Sequence, residues 1–201
     1  MTTFSPRQFL RERNAVLVHF STVMSRNPDL LFPNDLAGAM GLADVPLSFS
    51  TISPGDTNPW GGGRGGAEGA VGLLVDIGPE TVIHSVSSSD SGSSVAGSLG
   101  GPATAQNCAA SIDQRETSNE WHVSNYVPKG LFVLPPIFVR QRHSILGLDE
   151  PILAEAEISL AQAIDAFPAL PVFSANARTF LQYDRPSGEW RAVGYDMLIP
   201  Q

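Results

Sequence analysis

The apolar residues of this chain occur in short runs separated by turn-forming residues, and this spacing limits the folds open to it. Each run has the length of one β-strand and is too short for a long buried helix. The runs predict strands at 15–20, 47–52, 71–77, 81–86, 119–123, 131–134 and 137–139. Because most of them are joined by turns instead of helices, we expect an α+β fold and not a doubly wound parallel sheet.

Short helices are predicted beside these strands. Ser5 and Pro6 form a typical helix start, because a hydroxyl caps the first turn and proline fits the first helical position. The remaining predictions rest on the same signals of caps, apolar faces and turns. The predicted elements are a helix over 6–14, a helix over 35–40, a helix with an apolar face that begins at Pro151, and a hairpin with strands 179–183 and 190–195.

Two long segments rich in Gly and Ser interrupt the predicted strands, at 54–69 and 87–107. Long loops within a compact domain are commonly binding loops or mobile segments. The length of 201 residues suits one domain. We therefore expect a single domain over 1–201, with a core at 15–139 and a C-terminal helix and hairpin at 151–199.

Charge and cysteine content narrow the function classes. The net charge is −8, which argues against broad, non-specific nucleic-acid binding, because such binding needs Lys and Arg to neutralise phosphates. Cys108 is the one cysteine, so no intramolecular disulfide is possible and a reducing, cytoplasmic compartment is expected. No apolar run approaches the roughly 20 residues that cross a bilayer. No membrane-spanning segment is therefore expected. The histidines and the cysteine lack metal-ligand spacing, so no metal site is expected either.

Three polar residues stand at or within predicted strands, where side chains can reach a cleft. His19 ends the first strand, Ser50 lies in the second and Glu120 begins the fifth. Each also has a structural interpretation: a core histidine bound to a backbone carbonyl, a serine on a polar edge strand, and a surface glutamate. Glu120 and His122 share a face of a regular strand and could pair, although a cross-strand partner for His122 is equally open.

In this order, the three strands resemble those of the ADP-ribosyltransferase family, whose core strands carry a His or Arg, a Ser or Tyr, and a Glu. Segment 18–22 is similar to the first-strand histidine motif of the family's H-type members, and 49–53 to the Ser-Thr-Ser element of the second strand. Segment 120–133 resembles the catalytic-glutamate strand with its Pro-Lys/Arg-Gly turn. The resemblance covers 15–139 and implies an ADP-ribosyltransferase-like split β-sheet core with short flanking helices and long Gly/Ser-rich loops.

The resemblance implies that NAD⁺ is the substrate and that no metal is needed. Glu120 would stabilise the positive charge that develops on the ribose as the nicotinamide bond breaks, as carboxylates do in glycosidases. His19 would orient a ribose of NAD⁺, and Ser50 would brace Glu120. The other residues expected to line the NAD⁺ site are Phe20, Ser21, Thr51 and, through contacts to the pyrophosphate, Arg64 or Arg115.

The implied activity is mono-ADP-ribosylation of a macromolecule, by a toxin or defence effector whose host would need an antitoxin or inhibitor protein. Ser118 stands two residues before Glu120, where arginine-modifying relatives carry an extra Glu or Gln. The acceptor therefore stays open among nucleic acid, protein and small molecules. The sequence also leaves open whether Glu116 is the functional carboxylate.

Two other functions remain open at the level of sequence. A non-catalytic structural or interaction protein of a phage or secretion assembly would have the same Gly- and Ser-rich loops and abundant prolines. A serine hydrolase would use Ser91 with His84 or His122, although the sequence has no Gly-x-Ser-x-Gly elbow there. The transferase requires His19, Ser50 and Glu120 to meet at one cleft, whereas a structural protein does not.

Overall fold

In the computed structural model of the chain, the described residues are 4–21, 24–25, 27, 29, 31–55, 70–89, 100–114, 119–134, 138–146 and 151–201. The helices are α1 Pro6–Glu12, α2 Asn34–Gly41, α3 Ala105–Asp113, α4 Leu160–Ala166 and α5 Tyr195–Leu198. The strands are β1 Val16–Phe20, β2 Met24–Ser25, β3 Leu47–Ile52, β4 Ala70–Asp76, β5 Val82–Ser87, β6 Glu120–Ser124, β7 Val127–Leu134, β8 Phe138–Leu146, β9 Pro151–Ser159, β10 Val172–Ala175, β11 Phe180–Asp184 and β12 Glu189–Val193. The fold is therefore mixed α+β, as predicted.

Most strands belong to one nine-stranded mixed sheet with the order β12-β11-β10-β7-β4-β1-β3-β6-β5. The β10–β7 pair is parallel, and the other pairs in this sheet are antiparallel. β2, β8 and β9 form a separate three-stranded sheet. The predominance of antiparallel pairs follows from the short turn-like connections read in the sequence.

The ladder between β1 and β3 is short. It pairs Val16–Val18 with 50–52, whereas His19 and Phe20 pair with β4. The first residues of β3 instead pair with β6. We call the end of the β1–β3 ladder, between residues 19–20 and 47–49, the fork, because the two strands continue there with different partners.

Two apolar cores cover the two sides of the sheet. The first core contains Leu17, Phe49 and Trp121, together with Cys108 of α3. The second core contains Val18 and other residues from β1, β3, β4, β7, β10 and β11, but it stops at β3. β3 is thus an interior strand between β1 and β6, and the alternative of a polar edge strand around Ser50 is wrong.

The segment after Pro151 was expected to be a helix, but it is strand β9. Its nine residues pair with β8 along the full ladder, so tertiary pairing overrides a helical spacing of apolar residues. The helix begins later, at Leu160, where Ser159 and Gln162 form a capping box. The capping signal was present in the sequence and marks the helix start better than Pro151 does.

Two further boundaries differ from the predictions. The predicted loop at 87–107 overlaps α3, which Thr104 caps by accepting from the Asn107 amide. Residues 127–130 of the turn predicted at 126–130 belong to β7, and the chain turns instead at Asn125, whose φ is 55°. Pro128 fits in the strand because the β4–β7 register shifts between Leu74 and Val75, and a bulge relieves the lost ladder hydrogen bond.

Tyr126 joins this turn to α2. Its hydroxyl donates to the Ala39 carbonyl at 2.6 Å, and its ring contacts Phe49 edge to face at 4.9 Å. Burial, and secondarily the charge of Asp44, raise the pKa of Tyr126 to about 12. The folded state therefore keeps this proton at a pH where the unfolded chain has lost it.

We expect the stability of the protein to fall as the pH rises from the ordinary tyrosine value of 10.0 towards about 12, because the unfolded state then binds fewer protons. Tyr126→Phe should lower the free energy of unfolding by about 1 kcal/mol near neutral pH and should make the alkaline decline less steep. Urea denaturation at about pH 8 and about pH 11 measures both effects. An unchanged alkaline decline in the variant would show that Tyr126 does not contribute to it.

Candidate active site

One side of β3, β6 and β5 is polar where these strands extend beyond the second core. The cross-strand pairs Phe49 with Trp121 and Val86 with Trp121 point to the first core, so the alternating residues between them point to the opposite side. We call this side the polar face. Its residues are Ser48 and Ser50 on β3, Glu120, His122 and Ser124 on β6, and Ser85 and Ser87 on β5.

Glu120 is the buried carboxylate of the polar face. Its side chain is 8% exposed and its Oε1 lies 3.3 Å from His122 Nε2. His122 also contacts the neighbouring strand, with its Nδ1 2.9 Å from Ser85 Oγ. The interpretation of Glu120 as a surface charge is therefore wrong, and His122 has both partners that the sequence left open.

Ser50 lies beside Glu120 and is also buried. Its hydroxyl donates to the Asn119 carbonyl at 3.1 Å, and that carbonyl belongs to the peptide that enters Glu120. Ser50 thus braces the start of β6 through the backbone of the preceding residue. The structure brings Ser50 and Glu120 together on one side of the sheet.

Asn119 was missed by the sequence reasoning, yet it connects three elements. Its Oδ1 accepts from the Thr51 amide at 2.8 Å, and its Nδ2 donates to Thr51 Oγ1 at 2.6 Å and to the Ser111 carbonyl at 2.9 Å. It joins β3 to α3 immediately before Glu120. Asn119 was predicted as the first residue of a strand, but a single polar residue at a strand end carries no periodic signal, so the sequence offered nothing to single it out. Thr51, predicted to line the NAD⁺ site, is buried and bonded to Asn119.

We expect Asn119→Ala to destabilise the protein by about 2–4 kcal/mol, because it leaves the Thr51 amide and the Ser111 carbonyl buried without this partner. Asn107→Ala is the matched control, since the Asn107 side chain donates one hydrogen bond to Pro102 at the surface. Chemical denaturation compares the two variants. Equal losses of stability would contradict the role assigned to Asn119.

His19 lies at the fork. Its Nδ1 is 2.7 Å from the Ser48 carbonyl, and its ring is 5.6 Å from the ring of Phe49. A carbonyl only accepts, so Nδ1 carries the proton and the Nε2 of the neutral ring is an acceptor. The contact is the backbone hydrogen bond expected of a core histidine, but the side chain is only half-buried.

The side chain of His19 leaves the sheet on the other side from Ser50. Val18 pairs directly with Ser50 and belongs to the second core, whereas Leu17 belongs to the first. Strand alternation therefore turns His19 towards Phe49 and the first core. The strands of His19, Ser50 and Glu120 are adjacent, but only Ser50 and Glu120 share the polar face.

Phe20 is the last residue of β1, and Ser21 follows it. Phe20 packs against the second core. The backbone of Ser21 donates to the Val71 carbonyl at 2.8 Å. Among the described residues, the Ser21 hydroxyl is the one buried side-chain polar atom without a hydrogen-bond partner. A buried polar atom without a partner costs about 1–3 kcal/mol, so the end of β1 carries an unsatisfied hydroxyl.

A cavity of about 820 Å³ lies at the other end of these strands, beside α1, and is lined by residues that include Ile77, Thr81 and Val127. Its charged groups are already paired, because Arg7 donates two hydrogen bonds to Asp76, at 3.0 and 2.8 Å. Asp76 is buried and Arg7 is partly exposed, and the pair links α1 to β4. We place the candidate site at the polar face and the fork because, among the described residues, a buried carboxylate meets a histidine only there.

Several predicted residues cannot be assigned a position. Arg64, Arg115, Glu116 and Ser91 lie outside the described residues. Within the described part of the chain, no group of three or more His, Cys, Asp or Glu side chains is arranged to hold a metal ion. The helices described here are too short or too polar to span a bilayer.

The chain was compared with protein-family models, with curated proteins and with solved structures, and none of the three comparisons found a match.

Proposed function

We propose that the protein is a mono-ADP-ribosyltransferase that transfers ADP-ribose from NAD⁺ to a macromolecular acceptor, on an ADP-ribosyltransferase-like split sheet. The observation that carries the proposal is the position of Glu120. It is a buried carboxylate at the start of β6, beside Ser50 on β3, and β3 is beside the strand of His19. The three residues that resemble the family's motif thus lie on β1, β3 and β6, which are neighbours in the sheet.

The chemistry of Glu120 fits this reaction. Breaking the bond between nicotinamide and ribose leaves positive charge on the ribose, and a fixed carboxylate stabilises that charge most where water is excluded. Glu120 is buried, and its strand is held by Ser50 and by the Asn119 network. In the proposed reaction Glu120 faces the ribose and binds its 2′-hydroxyl.

The fork would hold the rest of NAD⁺. The Nε2 of His19 is an acceptor for a ribose hydroxyl, because the Ser48 carbonyl fixes the proton on Nδ1. The unpartnered hydroxyl of Ser21 supplies a second hydrogen bond two residues later. Phe20, between His19 and Ser21, is the last residue of β1 at the fork. The side chains of His19 and Glu120 leave opposite sides of the sheet and do not meet at one cleft, so the proposal requires a substrate that extends across the fork to reach both.

Incubation with labelled NAD⁺, with total cell protein, RNA and DNA as separate acceptors, tests the proposal. We expect nicotinamide release and transfer of the label to one of the three pools, which identifies the acceptor class. If no pool is labelled, no nicotinamide is released and calorimetry detects no NAD⁺ binding, the proposal is wrong. By analogy with the family, we also propose a toxin or defence role in the cytoplasm, with an antitoxin that neutralises the enzyme. Expression with and without the Glu120→Gln change tests this role.

A second candidate is a non-catalytic structural or interaction protein of a phage or secretion assembly. The orientation of His19 towards the first core favours it, since a structural protein does not need His19 and Glu120 to face one cleft. Absence of NAD⁺ binding, together with pull-down of a stoichiometric protein partner, would support this candidate over the transferase.

A further inference from the structure

A β-bulge in β5 brings a serine opposite His122. Ile83 pairs with Val123, but the next cross-strand pair is Ser85 with His122, so His84 is the extra residue. Without the bulge, His84 would face His122 instead. Bulges of this kind re-aim side chains and are common beside active sites.

Two contacts surround the His122 ring. Glu120 Oε1 lies 3.3 Å from His122 Nε2 at ion-pair distance, and its negative charge favours the tautomer with the proton on Nε2. In that tautomer His122 Nδ1 holds a lone pair and accepts from the Ser85 hydroxyl, which lies 2.9 Å away. A carboxylate that orients an imidazole, which in turn accepts from a hydroxyl, is the arrangement that activates a serine nucleophile.

The three residues Glu120, His122 and Ser85 differ in their exposure to solvent. The Glu120 side chain is 8% exposed, whereas that of His122 is 37% exposed, and Ser85 is half-buried. The orienting charge is thus shielded from water, while the base and the hydroxyl can be reached from outside. Such a gradient suits a group that acts on a bound molecule.

A second serine–histidine pair on the same strands serves as an internal comparison. His84 Nε2 lies 2.8 Å from Ser124 Oγ, but among the described residues no carboxylate contacts His84. Ser124 is also buried. The two pairs share residue types and strands and differ in the carboxylate, so only Ser85 has the complete group.

We infer that Ser85 is a nucleophile activated by His122 and Glu120, and that it accepts ADP-ribose within the protein itself. This inference rests on the proposed function, in which Glu120 faces the ribose. The bond between ribose C1′ and the nicotinamide nitrogen breaks, and its electron pair leaves with nicotinamide. Ser85 Oγ forms the new bond to C1′, and its proton passes to His122 Nδ1. The imidazolium, paired with Glu120, then releases that proton to water.

The experiment incubates the purified chain with NAD⁺, quantifies nicotinamide, and maps any adduct by intact mass and peptide fragmentation. We expect one ADP-ribosyl group on Ser85 of the wild-type protein. Ser85→Ala should lower the adduct at least about tenfold, as should His122→Gln, since loss of the nucleophile or its base removes the activation. Ser187→Ala, a control in the exposed turn after β11 and away from the polar face, should keep the wild-type adduct.

The outcomes separate the inference from the function on which it rests. Nicotinamide release by the wild-type protein with no adduct on Ser85, or with an adduct that persists in Ser85→Ala, would overturn the inference and leave the proposed function standing. An absence of nicotinamide release would overturn the proposed function and the inference together. Mapping on the wild-type chain decides the matter even if a variant fails to fold.

Discussion

Glu120→Gln is expected to lower the rate of NAD⁺ cleavage by about 10²–10³-fold, the usual effect of removing one electrostatic contact to the transition state. Glutamine has nearly the shape of glutamate, so the contacts around Ser50 and Asn119 should persist while the negative charge is lost. The free energy of unfolding should therefore change little. Nicotinamide release under single-turnover conditions measures the chemical step directly.

Glu189→Gln is the matched control, because Glu189 is exposed on β12, the opposite edge strand from β5. Its rate should equal that of the wild-type protein. If Glu120→Gln retained the full rate of cleavage, Glu120 would not be the functional carboxylate. Glu116→Gln, at the other candidate position four residues earlier, would then be the next variant to measure.

Trp121→Ala is expected to lower the free energy of unfolding by about 3–5 kcal/mol, as truncation of a large buried aromatic side chain does. Trp121 has no exposed surface and belongs to the first core. Its Nε1 also donates to Ser111 Oγ at 2.9 Å, which ties β6 to α3. The change removes both the packing and this hydrogen bond.

Trp190→Ala provides the comparison for this prediction. Trp190 lies on the edge strand β12, is half-buried, and contacts the ring of Tyr183 at 5.2 Å. Its truncation should cost clearly less stability than that of Trp121. Urea denaturation of the two variants gives the difference, and equal losses would show that Trp121 is not a principal support of the core.

The strands near the candidate site were predictable because their signals are local. Alternation identified β3, a compact apolar run identified β1, and Ser5 with Pro6 marked the start of α1. β9 was missed because nine residues that pair along a ladder can carry helix-like spacing, and the pairing partner cannot be read locally. β10 was missed for a related reason, since its parallel pairing with β7 joins distant parts of the chain.

The sequence likewise indicated some residues of the candidate site but not the contacts between them. Residue type and order suggested Ser50 and Glu120, and the structure brings them together. The direction of His19 depends on cross-strand register, which the sequence does not specify. The contact between Ser85 and His122 depends on a bulge, and the role of Asn119 on three partners distant in sequence. Side-chain chemistry was readable, but the geometry that joins the residues was set by packing.

The Asn119 side chain links α3 firmly to the start of β6. Its amide group bonds to Ser111 of α3 and to Thr51 of β3. The next residue in the chain is Glu120. Any molecule that pulled α3 away from the sheet would therefore shift the carboxylate without contacting it. If the proposed function holds, a molecule that binds the outer surface of α3 and displaces this helix would inhibit the protein without entering the polar face.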